Sequence, residues 1–198
     1  GPVYDIDYDV YRFSIQLEID RTAPGGTVFT PSGEYTESLT LDKPVSLIGL
    51  GANPPIVHAV FNQRVITITG PAITASTVIS NLQFADGDLL TMCTGDCRGG
   101  GALITNFARP QLVNVMLNDN SAMMGGGLYV QSGGVQLTNV QFNRNHAGQS
   151  GGGIYVESAG TVVDHIGGGL GSNQAIDGAG VFVQDGRYHS TGASLFFN

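Results

Sequence analysis

The second half of the chain repeats one short pattern of small and aliphatic residues. Each copy has three small residues followed by an aliphatic one, and the copies are Gly100-Gly-Ala-Leu103, Gly125-Gly-Gly-Leu128, Gly151-Gly-Gly-Ile154 and Gly178-Ala-Gly-Val181. Their first residues are 25, 26 and 27 positions apart. A fixed period of this length predicts a solenoid, in which stacked repeats pack only on their neighbours.

Two columns of asparagine follow the same period. In the first, an apolar residue precedes an asparagine by three positions, which gives Asn120, Asn145, Asn173 and Asn198. The second lies at the centre of the preceding strand pattern and comprises Asn81, Asn114, Asn139 and Asp164. Asn and Asp tolerate the left-handed backbone of a sharp bend, and stacked amides can hydrogen-bond to the next repeat. Both columns are predicted to be structural ladders.

The repeats predict strands rather than helices. Between the glycines, β-branched and aromatic residues alternate with polar ones, and runs of helix-forming residues are missing. One turn per repeat, with neighbouring turns about 4.8 Å apart, describes a parallel β-helix. A leucine-rich-repeat horseshoe is the rival fold, but its leucine and helix pattern is not found. The predicted class is therefore all-β.

The glycine phrase and the phrase Phe142-Asn-Arg-Asn145 resemble the GGA[L/I/V] and FxxN repeats of the chlamydial polymorphic membrane proteins, a branch of the pectin-lyase-like β-helices. The resemblance covers roughly residues 27–198 and is best from residue 78, with glycine in place of alanine at Gly127 and Gly153. It implies a right-handed parallel β-helix of about seven coils, located outside the cell or on a bacterial surface. It also implies an adhesin-like role, in which the chain binds a glycan or protein of a host or neighbouring cell.

The predicted domain organisation is one solenoid with a short lead. Gly1-Pro2 matches the pair left by protease removal of an expression tag, residues 3–26 form a lead-in and cap, and residues 27–198 form the β-helix. The chain stops in mid-coil, so we expect the natural protein to continue. The segment before Pro24 alternates like a strand, yet Ile15 and Ile19 also fit one helical face. Both interpretations stay open, and a capping helix is favoured because an uncovered apolar end invites aggregation.

Charge and composition exclude several partners. The net charge is −8, and Lys43 is the one lysine, so nucleic acid and anionic membranes are poor partners. No run of 18 apolar residues is present, so we expect no membrane insertion by this chain.

The stretch from Asp86 to Cys97 interrupts the repeat and is a first candidate for a specific role, since insertions on a solenoid carry function. Cys93 and Cys97 are close enough for a disulfide in an oxidising compartment, whereas a thiolate metal site would need two further ligands. Three acids in the insertion could bind Ca²⁺ with backbone carbonyls, namely Asp86, Asp88 and Asp96. We expect no cofactor, with calcium as the alternative.

A column of outward side chains is the second candidate. If Leu103, Leu128, Ile154 and Val181 face the interior, strand alternation predicts that Ile104, Tyr129, Tyr155 and Phe182 face outward in register. A stripe of stacked rings could receive a sugar or the apolar anchor of a protein partner. Alternatively, the rings simply cover the sheet. The insertion and the column are expected to border one surface.

Two other function classes stay open beside adhesion. A fragment of a polysaccharide lyase or hydrolase would need a carboxylate cluster, and consecutive aspartates or Gly-His-Gly do not occur. Asp164 and His165 are adjacent on a predicted strand and so point to opposite faces. We therefore expect no enzyme activity. The third class is an inert β-helical stalk, because fold alone does not imply function.

Overall fold

The structure is a computed structural model that describes residues 13–196. The Gly1-Pro2 pair, residues 3–12 of the predicted lead-in and Asn198 lie outside the described residues. The helix is α1 (Ile15–Arg21), and the strands are β1 (Thr27–Thr30), β2 (Glu34–Thr36), β3 (Leu39–Leu41), β4 (Ser46–Gly49), β5 (Ile56–His58), β6 (Ile66–Thr69), β7 (Val78–Ser80), β8 (Gln83–Ala85), β9 (Asp88–Leu89), β10 (Ala102–Thr105), β11 (Gln111–Val113), β12 (Met116–Asn118), β13 (Ser121–Met124), β14 (Leu128–Val130), β15 (Gly134–Asn143), β16 (His146–Ser150), β17 (Ile154–Val156), β18 (Val162–Gly171), β19 (Val181–Val183), β20 (Arg187–Thr191) and β21 (Ser194–Phe196).

All the strands pair in parallel and form three curled sheets, which confirms a parallel β-solenoid. Sheet A has two rows joined by the long, bent strands β15 and β18. The first row contains β1, β4, β7, β11, the first halves of β15 and β18, and β20; the second contains β2, β5, β8, β12, the second halves of β15 and β18, and β21. Sheet B has the order β19-β17-β14-β10-β6-β3, and sheet C the order β16-β13-β9.

The helix α1 covers one end of the solenoid, so the favoured prediction of a helical cap is confirmed. Ile15 and Ile19 are fully buried in the interior cluster that runs along the solenoid. Ser14 caps the N-terminus of the helix, and its hydroxyl accepts a hydrogen bond from the Leu17 amide. The Glu37 carboxylate accepts the amide hydrogens of Ile15 and Gln16 at 2.9 Å. A carboxylate placed there satisfies the free amides of the first turn and complements the helix dipole.

The bend between the two rows of sheet A uses left-handed backbone, as predicted for asparagine. Asn81, Asn114 and Asn139 have φ of 54°, 53° and 52°, and the Asn139 amide donates to Asn114 Oδ1 at 2.8 Å. Asn114 and Asn139 are exposed. This column therefore bends the chain without burying its amides.

The prediction that Asp164 is the fourth member of this column is wrong. Thr138 pairs with Ile166 and Val140 with Gly168, so the position beside Asn139 belongs to Gly167, with φ of 66°. Glycine adopts this conformation at lower cost than aspartate, and the bend moves to it. Asp164 instead lies within β18, where its carboxylate accepts a hydrogen bond from His189 Nδ1 at 3.0 Å.

The buried asparagine ladder is the other column. Asn120, Asn145 and Asn173 are at most 1% exposed. Asn145 Oδ1 accepts hydrogen bonds from the backbone and side-chain amides of Asn120 at 3.1 and 3.0 Å, and Asn145 Nδ2 donates to the Leu117 carbonyl at 2.8 Å. Asn173 Oδ1 accepts in the same way from the backbone and side-chain amides of Asn145. Each side-chain amide of this ladder thus links its own coil to a neighbouring coil within the buried interior.

His165 is a buried polar residue within the apolar interior. Its Nε2 lies 3.1 Å from the Val140 carbonyl, which can only accept, and its Nδ1 lies 2.8 Å from the Tyr188 hydroxyl. The Nε2 hydrogen is therefore donated, and Nδ1 accepts from the tyrosine. Burial lowers the pKa of His165 below its ordinary value, and the bond to Val140 only partly opposes this change. Folding therefore disfavours the charged form of the ring.

We predict that Asn145→Ala lowers the free energy of unfolding by about 2–4 kcal/mol, because buried groups of Asn120 and Leu117 lose their partners. Asn143→Ala is the matched control, since Asn143 is half-buried and donates one hydrogen bond, to Asn118 at 3.2 Å. Its cost should stay below about 1 kcal/mol. Urea denaturation measures both, and equal midpoints for the two variants would contradict the ladder's role.

We also predict acid sensitivity from His165. Below pH ~6.5 the unfolded chain gains a proton on this ring that the folded chain excludes, so the free energy of unfolding falls as pH decreases, by about 1 kcal/mol between pH ~7.5 and ~5.5. His165→Gln should remove that part of the decrease. The exposed control His146→Gln should retain it. Identical pH profiles for His165→Gln and the wild type would refute this assignment.

Candidate functional site

In the first of the four repeats, the outward-facing residue of sheet B lies one position earlier in the sequence than the repeat pattern predicts. Three successive glycines, Gly99 to Gly101, leave the alignment of that copy ambiguous by one residue. The backbone resolves it, because the turn into the strand needs a left-handed glycine. That position is taken by Gly99, Gly125, Gly151 and Gly178, with φ between 59° and 69°.

This register corrects the prediction for Ile104. Leu103 pairs with Tyr129, and Ile104 pairs with Val130. Ile104 is fully buried in the interior cluster, so it is not part of the outward column, and Leu103 takes its place there. The inward assignment of Leu128 and Ile154 agrees with the structure, since both belong to the interior cluster.

The aromatic column lies on the outer side of sheet B, as strand alternation predicts, and its tyrosines are buried, so the rings cover the sheet. Tyr129 and Tyr155 stack with ring centroids 4.7 Å apart, and Tyr155 and Phe182 with centroids 5.1 Å apart. Tyr129 is 1% exposed and Tyr155 5%. They form what we call the outer cluster: Leu103, Tyr129, Tyr155, Met124 and Phe182. Sheet B is thus buried on both faces along β10, β14 and β17.

Arg98 closes one end of this stack. Its guanidinium carbon lies 5.1 Å from the centre of the Tyr129 ring, which is cation–π geometry. Its Nε donates to Asp96 Oδ1 at 2.6 Å, and its Nη1 lies 3.7 Å from Glu157 Oε2. The hydrogen bond to Asp96 raises the pKa of Arg98, and burial raises the pKa of Tyr129 despite the nearby guanidinium. The Arg98–Tyr129 pair is therefore a charged guanidinium packed on a neutral phenol ring.

The insertion is fixed against this wall. Cys93 and Cys97 form the predicted disulfide. Arg64 donates to the Asp96 carbonyl at 2.7 Å, and the Met123 amide donates to the Cys97 carbonyl at 2.9 Å. The end of the insertion therefore contacts the aromatic column through Arg98 rather than Ile104, but the tyrosines of the column are buried, so the two do not form one solvent-exposed surface as expected.

An open groove runs between the insertion and sheet C. It is lined by Gly95, Asp96, Cys97, Arg98, Met123 and Met124. Met92, at the tip of the insertion, is 62% exposed. Methionine side chains adapt their shape to different apolar partners, so this groove has the chemistry of a binding surface. Sequence reasoning missed Arg98 and the methionine pair; an arginine directly before three glycines, in a chain with 8 basic residues, was the available signal.

The three acids considered for calcium are held by separate partners. His58 Nδ1 donates to Asp86 at 2.7 Å; Asp88 accepts from the backbone and hydroxyl of Thr91 and from Ser121; Asp96 pairs with Arg98 and Arg64. Burial raises the pKa of Asp96, but these two arginines outweigh it and the net pKa is lowered. Within residues 13–196 no group of three His, Cys, Asp or Glu side chains is arranged so that it could hold a metal ion. The three carboxylates are therefore not gathered at one site.

Comparison with known proteins supports the repeat assignment. The family model described as the Chlamydia polymorphic membrane protein (Chlamydia_PMP) repeat matches residues 139–157. This segment runs from the Asn139 bend through the Arg144 and Gly151 corners to one residue past β17, so it spans three corners of one coil. The chain is a parallel β-solenoid, and it contains a repeat that resembles those of this family. No curated protein and no solved structure matches the chain. Among the described residues, no helix is both long and apolar enough to cross a membrane.

The burial of the column predicts that Tyr155→Ala destabilises the fold. Because the ring is stacked on both sides, its removal should lower the free energy of unfolding by about 3 kcal/mol. Tyr155→Phe should cost about 1 kcal/mol, through loss of the 2.7 Å hydrogen bond from the Tyr155 hydroxyl to Gln184. Thermal or urea denaturation gives both values. A loss below about 1 kcal/mol for Tyr155→Ala would mean that the ring is exposed after all.

Proposed function

We propose that this chain is part of a bacterial surface protein that works by adhesion, with the insertion and the adjoining methionine groove as its contact surface. We infer further that the solenoid is right-handed with about seven coils, as in the proteins its repeats resemble. The partner is a glycan or protein of a host or neighbouring cell. The observation that best supports a binding role is the anchoring of the insertion, which a mere spacer would not need.

Three contacts hold the loop in one arrangement. The disulfide closes it, Arg64 and Arg98 both bind Asp96, and Arg98 packs on the Tyr129 ring. A loop ordered before binding loses less conformational entropy when a partner binds. Met92 and the groove then offer apolar surface in a chain that is otherwise acidic. Such a patch can bury an apolar anchor of a partner within a polar rim.

A surface location is supported by the match to the Chlamydia polymorphic membrane protein repeat. The disulfide agrees with it, because such bonds persist in oxidising compartments. The repeats leave the walls of the solenoid regular, and the insertion is the long exception among the coils from residue 78 onward. We therefore place specific recognition at this insertion, because loops on a rigid scaffold commonly carry function.

The test is binding of labelled protein to cultured epithelial cells and to bacterial cells, measured by flow cytometry. Met92→Asp should weaken binding about tenfold, because it places a charge at the tip of the contact surface. Phe107→Asp is the matched control: Phe107 is 66% exposed and lies in the turn between β10 and β11, and its left-handed backbone suits aspartate.

Pretreatment of the cells with protease or with glycosidases distinguishes a protein partner from a glycan. Loss of binding in Met92→Asp with retention in Phe107→Asp supports the contact surface. No binding to either cell type would leave the inert stalk as the better description. Equal binding by both variants would place the contact elsewhere.

A further inference from the structure

The sulfur-containing side chains of this protein are concentrated on one side of the solenoid. The sequence has four methionines, two cysteines and no tryptophan, and the two cysteines are joined in the disulfide. Three of the methionines belong to the contact surface proposed above: Met92 is at the tip of the insertion, and Met123 and Met124 line the groove. With both thiols joined, thioether sulfur is the group that a two-electron oxidant converts most readily.

We propose that Met92 is an oxidation site, and that its conversion to methionine sulfoxide switches off binding at the contact surface. This inference rests on the proposed adhesive function and adds the regulation of the same surface. The oxidant belongs to the peroxide class.

The reaction is the transfer of one oxygen atom to sulfur. The Met92 sulfur attacks one oxygen of hydrogen peroxide, so an S–O bond forms and the O–O bond breaks. The proton of the transferred oxygen passes to the departing hydroxide, which leaves as water. Sulfur loses two electrons and the peroxide gains them.

Exposure makes Met92 the first thioether to react. It is 62% exposed, whereas Met123 and Met124 are half-buried. Met124 packs against the buried members of the outer cluster, so the protein covers part of its side chain. An oxidant in solution therefore reaches Met92 before it reaches the groove.

The Met123 sulfur lies against a neighbouring coil. A methyl group placed on Gly148 of β16 would lie 3.3 Å from this sulfur and 2.7 Å from Leu90 Cδ1. Both side chains thus lie over the bare backbone of Gly148, which leaves an oxidant fewer directions from which to approach Met123.

Oxidation of Met92 changes the chemistry of the tip and leaves the anchoring of the insertion intact. A sulfoxide oxygen is a hydrogen-bond acceptor, and burying it in an apolar contact without a donor costs free energy. The contacts that hold the insertion come from other residues: the disulfide, the two arginines on Asp96 and the hydrogen bond from the Met123 amide to the Cys97 carbonyl. The modified loop therefore keeps its shape and loses its apolar anchor.

Met116 provides a matched control in the same chain. It is half-buried on β12, in the second row of sheet A, where it pairs with Gln83 and Gln141. It is a partly accessible thioether on another wall, so its oxidation should not affect binding.

Peptide mass spectrometry after timed exposure to dilute hydrogen peroxide, quenched with catalase, measures the order of oxidation. Met92 should gain one oxygen atom at least about threefold faster than Met116, Met123 or Met124. The melting temperature should be unchanged when Met92 alone is oxidised. An equal or slower rate at Met92 would overturn the site.

The same samples are then tested for binding to the two cell types by flow cytometry. Oxidation of Met92 should weaken binding about tenfold, and Met92→Gln should do so without peroxide, since both place a polar group at the tip. Met92→Leu keeps an apolar side chain of similar volume, so it should bind like the wild type and retain binding after treatment. Met116→Leu should bind like the wild type and lose binding after treatment.

The outcomes separate the switch from the adhesive function. If untreated wild type binds neither cell type, the adhesive function and the switch are both refuted. If untreated wild type binds and protein fully oxidised at Met92 binds equally well, the switch alone is refuted. A loss on treatment that persists in Met92→Leu, or one that accompanies a fall in melting temperature, also refutes the switch, because the damage then lies elsewhere in the chain.

Discussion

The solenoid depends on left-handed backbone at three corners of its regular coils. The bend between the rows of sheet A uses Asn81, Asn114, Asn139 and Gly167; the corner after the second row uses Asp86, Asp119, Arg144 and Ser172; the corner before sheet B uses Gly99, Gly125, Gly151 and Gly178. Only glycine adopts this conformation freely, and asparagine and aspartate follow. Arg144 and Ser172 are the costlier exceptions. The Arg144 guanidinium donates two hydrogen bonds to the Asp119 carboxylate, its neighbour in the same column.

The corners also explain which parts of the fold could be predicted from the sequence. Asparagine bends, buried Asn145 and the glycine period all predict parallel coils, because each corner demands a narrow choice of residue. The prediction for Asp164 was wrong for the same reason: aspartate tolerates the left-handed backbone of the bend, but the bend lies at a glycine three residues later. The error at Ile104 came from three consecutive glycines, where composition cannot say which one turns left-handed. The left-handed backbone of a corner limits which residue types can occupy it. The strand pairing between coils then determines which of the candidate residues does.

The candidate site was less predictable, because its key contacts join residues far apart in sequence. Strand alternation placed Tyr129 and Tyr155 outside the interior, yet it could not reveal that Met124 and Arg98 cover them. That cover comes from sheet C and the end of the insertion, whose path no periodicity describes. The result is a wall packed on both faces, in which the rings stabilise the scaffold and the loop beside them faces the solvent. The proposed contact surface thus lies where the chain departs from the repeat, and the repeat supplies a rigid scaffold for it.

The orientation of the asparagine ladder has a mechanical consequence. Hydrogen bonds between coils run along the solenoid axis, and the amides of Asn120, Asn145 and Asn173 add bonds in the same direction inside the coil. A force that pulls along that axis loads successive coil-to-coil junctions in series, so the weakest junction yields first. The ladder reinforces the junctions it crosses, and tensile rupture should therefore begin in coils outside this segment. Under tension, the stretch with the buried asparagines would be the last part of the rod to give way.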